Sequence, residues 1–257
     1  MNRDQALALQ RTGLRDWIAA MSESSPGARL FERDGVTANA APACPQRGIV
    51  NSVSFTSSEA MLDLFDDVAE FEREAGVEAW ELWIEDFDTE TIAAVEARGL
   101  KFDGKPMAMT LDLVSWQPPD LGDLVWDRDV DGATLGRLTD LAYGIEAEVG
   151  MAHGLTAPEP SLRLYQARAD GGEPVSVMAT IDHAGDDLGI YLVATHPDHR
   201  GRGLASRLLA VALSEGKQRG MKTSSLQGSP MGAPIYARLG YSGDFRMNLY
   251  EHRAGPG

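Results

Sequence analysis

One cysteine, Cys44, occurs in 257 residues, which excludes an intramolecular disulfide and a cysteine-rich zinc site. Histidine is also scarce, with five residues scattered at no metal-ligand spacing, so no bound metal is expected. No apolar run approaches the roughly 20 residues that a membrane helix needs. The chain opens on the polar run Met1-Asn2-Arg3-Asp4-Gln5 rather than on an apolar leader core. Basic residues are outnumbered, 23 Lys and Arg against 39 Asp and Glu, and the net charge of −16 disfavours nucleic acid and anionic membranes as partners. A cytoplasmic monomer or homodimer, without nucleic-acid or membrane partners, is the expectation. What is present is ordinary for a globular protein: 43% hydrophobic and 24% charged residues. The length allows one large domain or two of about 120 residues.

The clearest break surrounds Pro118 and Pro119, which bar helix continuation. It divides the chain into residues 1–117, a linker of 118–123, and residues 124–257. Trp116, beside the prolines, is read as an exposed side chain that packs the junction between the halves.

In the first half, Leu14, Trp17, Ile18 and Met21 fall at helical spacing. Residues 51–55 alternate like a strand. Thr56 and Glu59 form a capping-box pattern before a helix with the apolar stripe Met61, Leu64, Phe65 and Val68. A strand over 79–84, a short helix over 89–98 and a strand over 107–113 follow. In that last strand Met107, Met109, Leu111 and Leu113 face one way.

The second half repeats this order. Residues 162–169 and 174–183 predict a hairpin around Asp170-Gly171-Gly172. Residues 189–195 are nearly continuously apolar, as in a strand covered on both faces. The next helix, over 202–217, buries Leu204, Leu208, Leu209 and Leu213. A strand over 223–227, a short helix over 232–239 and a strand over 245–250 complete it. The fold class predicted is α/β: two units, each a mixed, mostly antiparallel central sheet flanked by helices.

The informative segment is Thr195-His196-Pro197-Asp198-His199-Arg200-Gly201-Arg202-Gly203-Leu204-Ala205. A buried strand ends, Pro197-Asp198 turns, and two glycines open an amphipathic helix. This geometry gathers unpaired N–H groups at a helix N-terminus, where the dipole also favours an anion. Gly201 and Gly203 remove side chains that would hold a phosphate off the backbone. Arg200 and Arg202 add positive charge, so a diphosphate suits the site. A Walker A loop is excluded, because Leu204-Ala205-Ser206 stands where Lys and Ser or Thr would be required. A Rossmann fingerprint is excluded by Ser206 at its third glycine position and by the lack of an acidic residue at the end of the next strand.

The pattern resembles the Gcn5-related N-acetyltransferases, whose signature is Arg/Gln-x-x-Gly-x-Gly/Ala; Arg200, Gly203 and Ala205 stand at its fixed positions. Downstream, Ser229 followed by Tyr236-Ala237-Arg238-Leu239-Gly240-Tyr241 is similar to the family's second landmark, an Asn and then Tyr-x-x-x-Gly-Phe. The departures are Ser229 for Asn and Tyr241 for Phe. The likeness runs from about residue 125 to 252.

It implies acetyl-CoA as co-substrate and an amine acceptor. Backbone groups of Val193, Ala194 and Thr195 would pair with pantetheine. Amides of Arg200, Gly201, Arg202, Gly203, Leu204 and Ala205 would hold the pyrophosphate, with Ser229 near the coenzyme. Tyr236 would protonate the departing thiolate. Base candidates are Glu146 and Glu148, in a segment that covers the acceptor site in this family, with water as a further option; Tyr191 would orient the substrate. The alternative is a non-catalytic acyl-CoA-binding or regulatory module. The first half has Thr56-Ser57-Ser58-Glu59 where the phosphate loop would be and Glu96 at the tyrosine position. It therefore resembles a degenerate acetyltransferase-like copy that binds no coenzyme, as in tandem enzymes such as mycothiol synthase.

Overall fold

The amphipathic opening segment forms α1 (Arg3–Ser24), started by Asn2, whose side chain accepts from the Gln5 N–H while Gln5 returns the bond to Asn2 N–H. The computed structural model describes residues 1–145, 150–156, 161–169 and 172–254. After α1 comes a hairpin that periodicity did not announce, β1 (Arg29–Arg33) and β2 (Val36–Ala40). Its turn is Asp34-Gly35, both at positive φ (47° and 85°), a pair suited to a two-residue hairpin turn.

The first half continues with β3 (Ser52–Phe55), α2 (Ser58–Glu74), β4 (Ala79–Glu85), α3 (Thr89–Ala97), β5 (Lys101–Gly104) and β6 (Met107–Asp112). The second half runs β7 (Trp126–Asp127), α4 (Gly132–Tyr143), β8 (Arg163–Arg168), β9 (Pro174–His183), β10 (Asp187–Thr195), α5 (Leu204–Gln218), β11 (Thr223–Gly228), α6 (Ala233–Arg238) and β12 (Ser242–Arg253). The β8–β9 pair is the predicted hairpin; its turn residues Asp170 and Gly171 lie outside the described residues.

Two local readings are corrected. The N-cap of α2 is Ser57, whose hydroxyl accepts from Ala60 N–H, and not Thr56. The Thr56 N–H is already bonded to the Gly35 carbonyl at 2.9 Å, which holds Thr56 in the extension of β3. Trp116 is buried, not exposed: its indole N–H donates to the Leu239 carbonyl at 3.0 Å, and Lys217 Nζ bonds its carbonyl. The linker is thereby fastened to the second half.

All strands join one mixed sheet in the order β1-β2-β3-β4-β12-β6-β11-β10-β9-β8-β7, with β5 also on β12. Among the described strands only β3–β4 and β10–β11 run parallel. Outward from the junction of β12 and β6 the pairings run alike on both sides, antiparallel, parallel, antiparallel and antiparallel, with β7 as an extra strand at one edge. Strands β12 and β6 have changed sides. β6, from the first half, pairs with β11 of the second, while residues 247–253 of β12 pair with β4 of the first. Each half's sheet is completed by the other's last strand.

Helices α1 and α4 cover one face, packing Trp17, Ile18, Leu135 and Leu138 on Leu164, Ala179 and Tyr191. The opposite face of the second half carries α5 and α6, where Leu208, Leu209 and Leu213 meet Tyr165, Met178, Leu188 and Ile190. Each such leucine, fully buried, contributes about 1.5–3 kcal/mol. Met109 and Leu111 of β6 point into this same cluster, so the one-sided pattern predicted for that strand serves the other half's core. Helix α2 lies on the same face, over β2, β3 and β4.

Candidate active site

Parallel pairing of β10 with β11 is brief, from Asp187–Thr223 to Gly189–Ser225. Beyond it the two strands part. On its other edge β10 has a bulge: Tyr191 pairs with Ala179 and Ala194 with Val177, so Leu192 and Val193 together oppose Met178. Leu192 takes φ 51°, a costly conformation for a branched side chain and a mark of local strain. The bulge re-aims the backbone of residues 192–195 toward the gap left by β11. A cleft of about 930 Å³ opens there, lined by Leu192, Val193, Ala194, Thr195, Ser229 and Tyr236, and by the α5 loop.

At the mouth, Pro197–His199 form a single 3-10 turn, steadied by the Asp198 N–H donating to His196 Nδ1. Gly201 (φ 78°) and Gly203 (φ 72°) are both left-handed, and a Cβ at either would meet no backbone within 4 Å. Gly201 therefore faces open space, and Gly203 only the Ser206 and Arg207 side chains at 3.8 and 4.0 Å. Gly203 is the N-cap of α5 and supplies no side-chain acceptor, so the first-turn N–H groups have no capping side chain. Arg200 spans from its own loop to α4, with Nη2 donating to the Ala142 carbonyl at 2.5 Å. Arg207 ties the loop to the linker, donating to the Asp123 carboxylate at 2.9 Å and to the Arg202 carbonyl. Among the predicted coenzyme residues, Val193, Ala194, Thr195, Arg200, Gly201, Gly203, Leu204, Ala205 and Ser229 line this one cleft; Arg202 does not.

Tyr236, in α6, stands on the cleft wall with its ring packed edge-on against Tyr241, centroids 6.0 Å apart. Two glycines make room for it: a Cβ at Gly228 would lie 3.1 Å from the ring, and one at Gly232 2.9 Å. Among the described residues no hydrogen-bond partner of its hydroxyl is found. Burial, with Tyr143 nearby, pushes the phenol well above its usual range, so it is protonated at neutral pH. Ser229 accepts the Gly232 N–H at 3.2 Å and so braces the turn into α6.

Glu146 and Glu148 lie outside the described residues. Tyr191 is described, and its ring stacks on Trp17 at 4.5 Å and 9°. Its hydroxyl donates to the Gly13 carbonyl and sits 2.8 Å from His183 Nε2. His183 Nδ1 in turn lies 2.8 Å from Asp16. With its proton on Gly13, the Tyr191 oxygen is left as an acceptor facing Nε2, and Nδ1 faces the Asp16 carboxylate. This network fastens α1 to β9 and β10. Gly189 leaves the space for it, since a Cβ there would fall 2.2 Å from His183 Nε2.

The cleft also extends where sequence reading did not look. Trp17 of α1, Arg47 and Gly48 of the β2–β3 loop, Trp83 of β4 and Glu251 of β12 line its far end. Trp17 arrives on α1, stacked on Tyr191, while the pairing of β12 with β4 sets Glu251 beside Glu81 and Leu249 beside Trp83; no local pattern records either placement.

Residues 186–243 match the family model described as an acetyltransferase (GNAT) domain. No curated protein matches the chain. Among solved structures, a GCN5-related N-acetyltransferase from Kribbella flavida is similar with a TM-score of 0.66 at 16% identity, covering 95% of each chain. One from Sphaerobacter thermophilus gives 0.59 at 18% identity, over 97% of this chain and 94% of its own. A tandem GNAT protein from the clavulanic acid biosynthesis pathway gives 0.58 at 15%, over 100% and 98%. At these identities the likeness is one of fold. Among the described residues no helix is long and apolar enough to cross a membrane.

Proposed function

We propose that the chain is an acetyl-CoA-dependent N-acetyltransferase that moves an acetyl group to a primary amine by direct attack on the thioester. One observation carries this reading. The bulged end of β10, unpaired on its β11 side, leads through the Pro197–His199 turn into a glycine-led α5 N-terminus without a side-chain cap, and both open into one cleft with Tyr236. An extended pantetheine arm fits the parting of β10 and β11 as an added strand along residues 193–195. The pyrophosphate fits the amides of residues 200–205, with Ser229 beside the arm. When bound, the coenzyme supplies the activated acetyl group.

The neutral amine nitrogen attacks the thioester carbonyl carbon, and a β10 backbone N–H holds the oxyanion. As the C–S bond breaks, the electron pair stays on sulfur, which takes the phenol proton of Tyr236; solvent reprotonates the phenolate. The amine's surplus proton goes to Glu146, to Glu148 or to water. We assign this chemistry to residues 124–257. Residues 1–117 form a second acetyltransferase-like unit that has lost its coenzyme site and walls the acceptor end of the cleft, a tandem layout of the mycothiol synthase kind.

The test is thiol release from acetyl-CoA across a library of amines, with calorimetric titration of CoA alongside. Turnover with at least one amine supports transfer. Tight CoA binding with no thiol release from any amine would leave a binding or regulatory module instead.

A further inference from the structure

The far end of the cleft is acidic. Glu81 on β4, Asp103 on β5 and Glu251 on β12 bring carboxylate oxygens within 4.8 Å of one another. Register sets the pair, since Glu81 and Glu251 are direct partners across β4–β12. Glu81 is 3% exposed, and its Oε2 has no hydrogen-bond partner among the described residues. Gly48 roofs the group so closely that a Cβ there would lie 2.8 Å from Glu81 Cγ and 2.9 Å from Glu251 Oε2. A buried carboxylate oxygen without a donor is costly, and Glu81 lines the cleft together with Asp103 and Glu251.

Charge and valence narrow the guest. Arg253 already donates to Glu251, and Arg47 lies near enough to favour the ionised form of Glu81. Three carboxylates face the Arg253 guanidinium and that of Arg47, which is shared with Asp140, so the group stays net negative and suits a cation. A divalent ion would fill the rest of its six or more oxygens with water, but the Arg253 and Arg47 guanidinium groups beside it oppose its double charge. An alkylammonium has three N–H donors, one for each carboxylate. Burial first, then the neighbouring Asp103 and Glu251, push the Glu81 acid well up, so without a cation the group holds a proton instead.

We propose that Glu81, Asp103 and Glu251 form a subsite for an alkylammonium end of the acceptor, remote from the amine that is acetylated, so that the preferred acceptors are diamines or polyamines. The reading of the other end of the cleft as the acetyl-transfer site underlies this assignment of roles.

Two measurements test it on the full chain. In the first, putrescine, cadaverine and spermidine are titrated calorimetrically into CoA-saturated protein, its Glu81→Gln variant and its Asp103→Asn variant. Binding should be about tenfold weaker in Glu81→Gln and reduced in Asp103→Asn. The melting temperature and CoA affinity report that both variants are folded. In the second, thiol release is compared for cadaverine against pentylamine. The native protein should prefer the diamine by about tenfold or more in kcat/KM, and Glu81→Gln should erase most of that preference. Equal diamine binding by the native protein and both variants overturns the subsite, as does Glu81-dependent binding of magnesium or calcium chloride that excludes cadaverine. Glu81-dependent cadaverine binding without thiol release keeps the subsite and removes acetyl transfer. Thiol release with no diamine preference does the reverse.

Discussion

Two parallel strand pairs part in this sheet, and they end differently. At β3–β4 the pairing covers Ser52–Glu81 and Val53–Leu82, and the gap beyond is filled from α1. Arg11 donates to the Glu85 carboxylate and to the Thr56 carbonyl, each at 2.7 Å, bridging the two strand ends. At β10–β11 no side chain among the described residues bridges the two strand ends in this way, and the gap opens into the cleft. The helices that follow differ in the same sense. Helix α2 begins on Ser57, which caps it with its own hydroxyl, and Glu59 puts a carboxylate in its first turn. Helix α5 begins on Gly203 with neither. One architecture thus yields a plugged gap or an open one, according to a few side chains at strand ends and helix caps. Anion binding at a helix start needs an absence, of caps and of carboxylates, as much as it needs glycine.

The largest effect that would sharpen this comparison comes from cutting the chain. Residues 1–117 and 124–257, expressed apart, each lose the strand that completes their sheet, leaving β4 and β11 as bare edges. Neither piece is expected to melt cooperatively as a monomer by circular dichroism and gel filtration. A stable 124–257 with full activity would make the first half an accessory.

Next comes Tyr236→Phe, which keeps the ring in its glycine-walled slot and removes only the hydroxyl. A fall in kcat of roughly 10- to 1,000-fold is expected, with CoA affinity and melting temperature little changed. Wild-type turnover, with chemistry rate-limiting, would make the residue packing alone.

Gly203→Val should act more narrowly. It forces a β-branched residue to φ 72° at the α5 cap, and CoA affinity should drop by about tenfold while the fold survives. Calorimetry of the native chain should give one CoA per molecule. A stoichiometry near two would erase the contrast between the gaps.

The smallest expected effect contrasts two buried carboxylates. Asp187 of the second half accepts from Ser225 and Thr223 hydroxyls, each at 2.6 Å, whereas neither oxygen of Glu72 in α2 has a partner among the described residues. Burial raises the Glu72 acid well above 4.5 in the folded state. The folded chain therefore binds the proton more tightly than the unfolded one. That contribution is full below about pH 4.3 and is lost as pH rises through the folded pKa. Glu72→Gln does not titrate, so its melting temperature should exceed the native value by about 3 °C at pH 8, with the gap closing toward pH 4. A pH-independent difference would point to a partner for Glu72.

Much of this could be read in advance because it is local. Leu208, Leu209 and Leu213 mark α5, and the alternation of Met107, Met109 and Leu111 marks β6. Arg200, Gly203 and Ala205 mark the loop, because a helix cap is written within a few residues. What escaped was long-range or quiet. The pattern of β6 reports one buried face but not whose core it enters. Asp34-Gly35 advertised a hairpin, yet the mostly exposed side chains of β1 hid the strand beside it. Helix α4 went unread, although Asp131 caps it and Gly144 ends it at φ 71°. The acidic end of the cleft joins residues 81, 103 and 251, a set that only the tertiary pairing assembles.

The exchange of last strands also sets an order of events during synthesis. β4 emerges early, but its neighbour β12 is translated only after β7–β11 and helices α4, α5 and α6. At about 5–20 residues per second, the hydrogen-bonding edge of β4 waits many seconds, exposed to other nascent chains. The first half cannot mature ahead of the second, as a beads-on-a-string protein would. The two are committed to a single late closing step, in which one strand zips β4 while its beginning locks β6 against β11. A protein assembled this way has a high-contact-order, slow final transition, and it will depend on whatever shields that waiting edge.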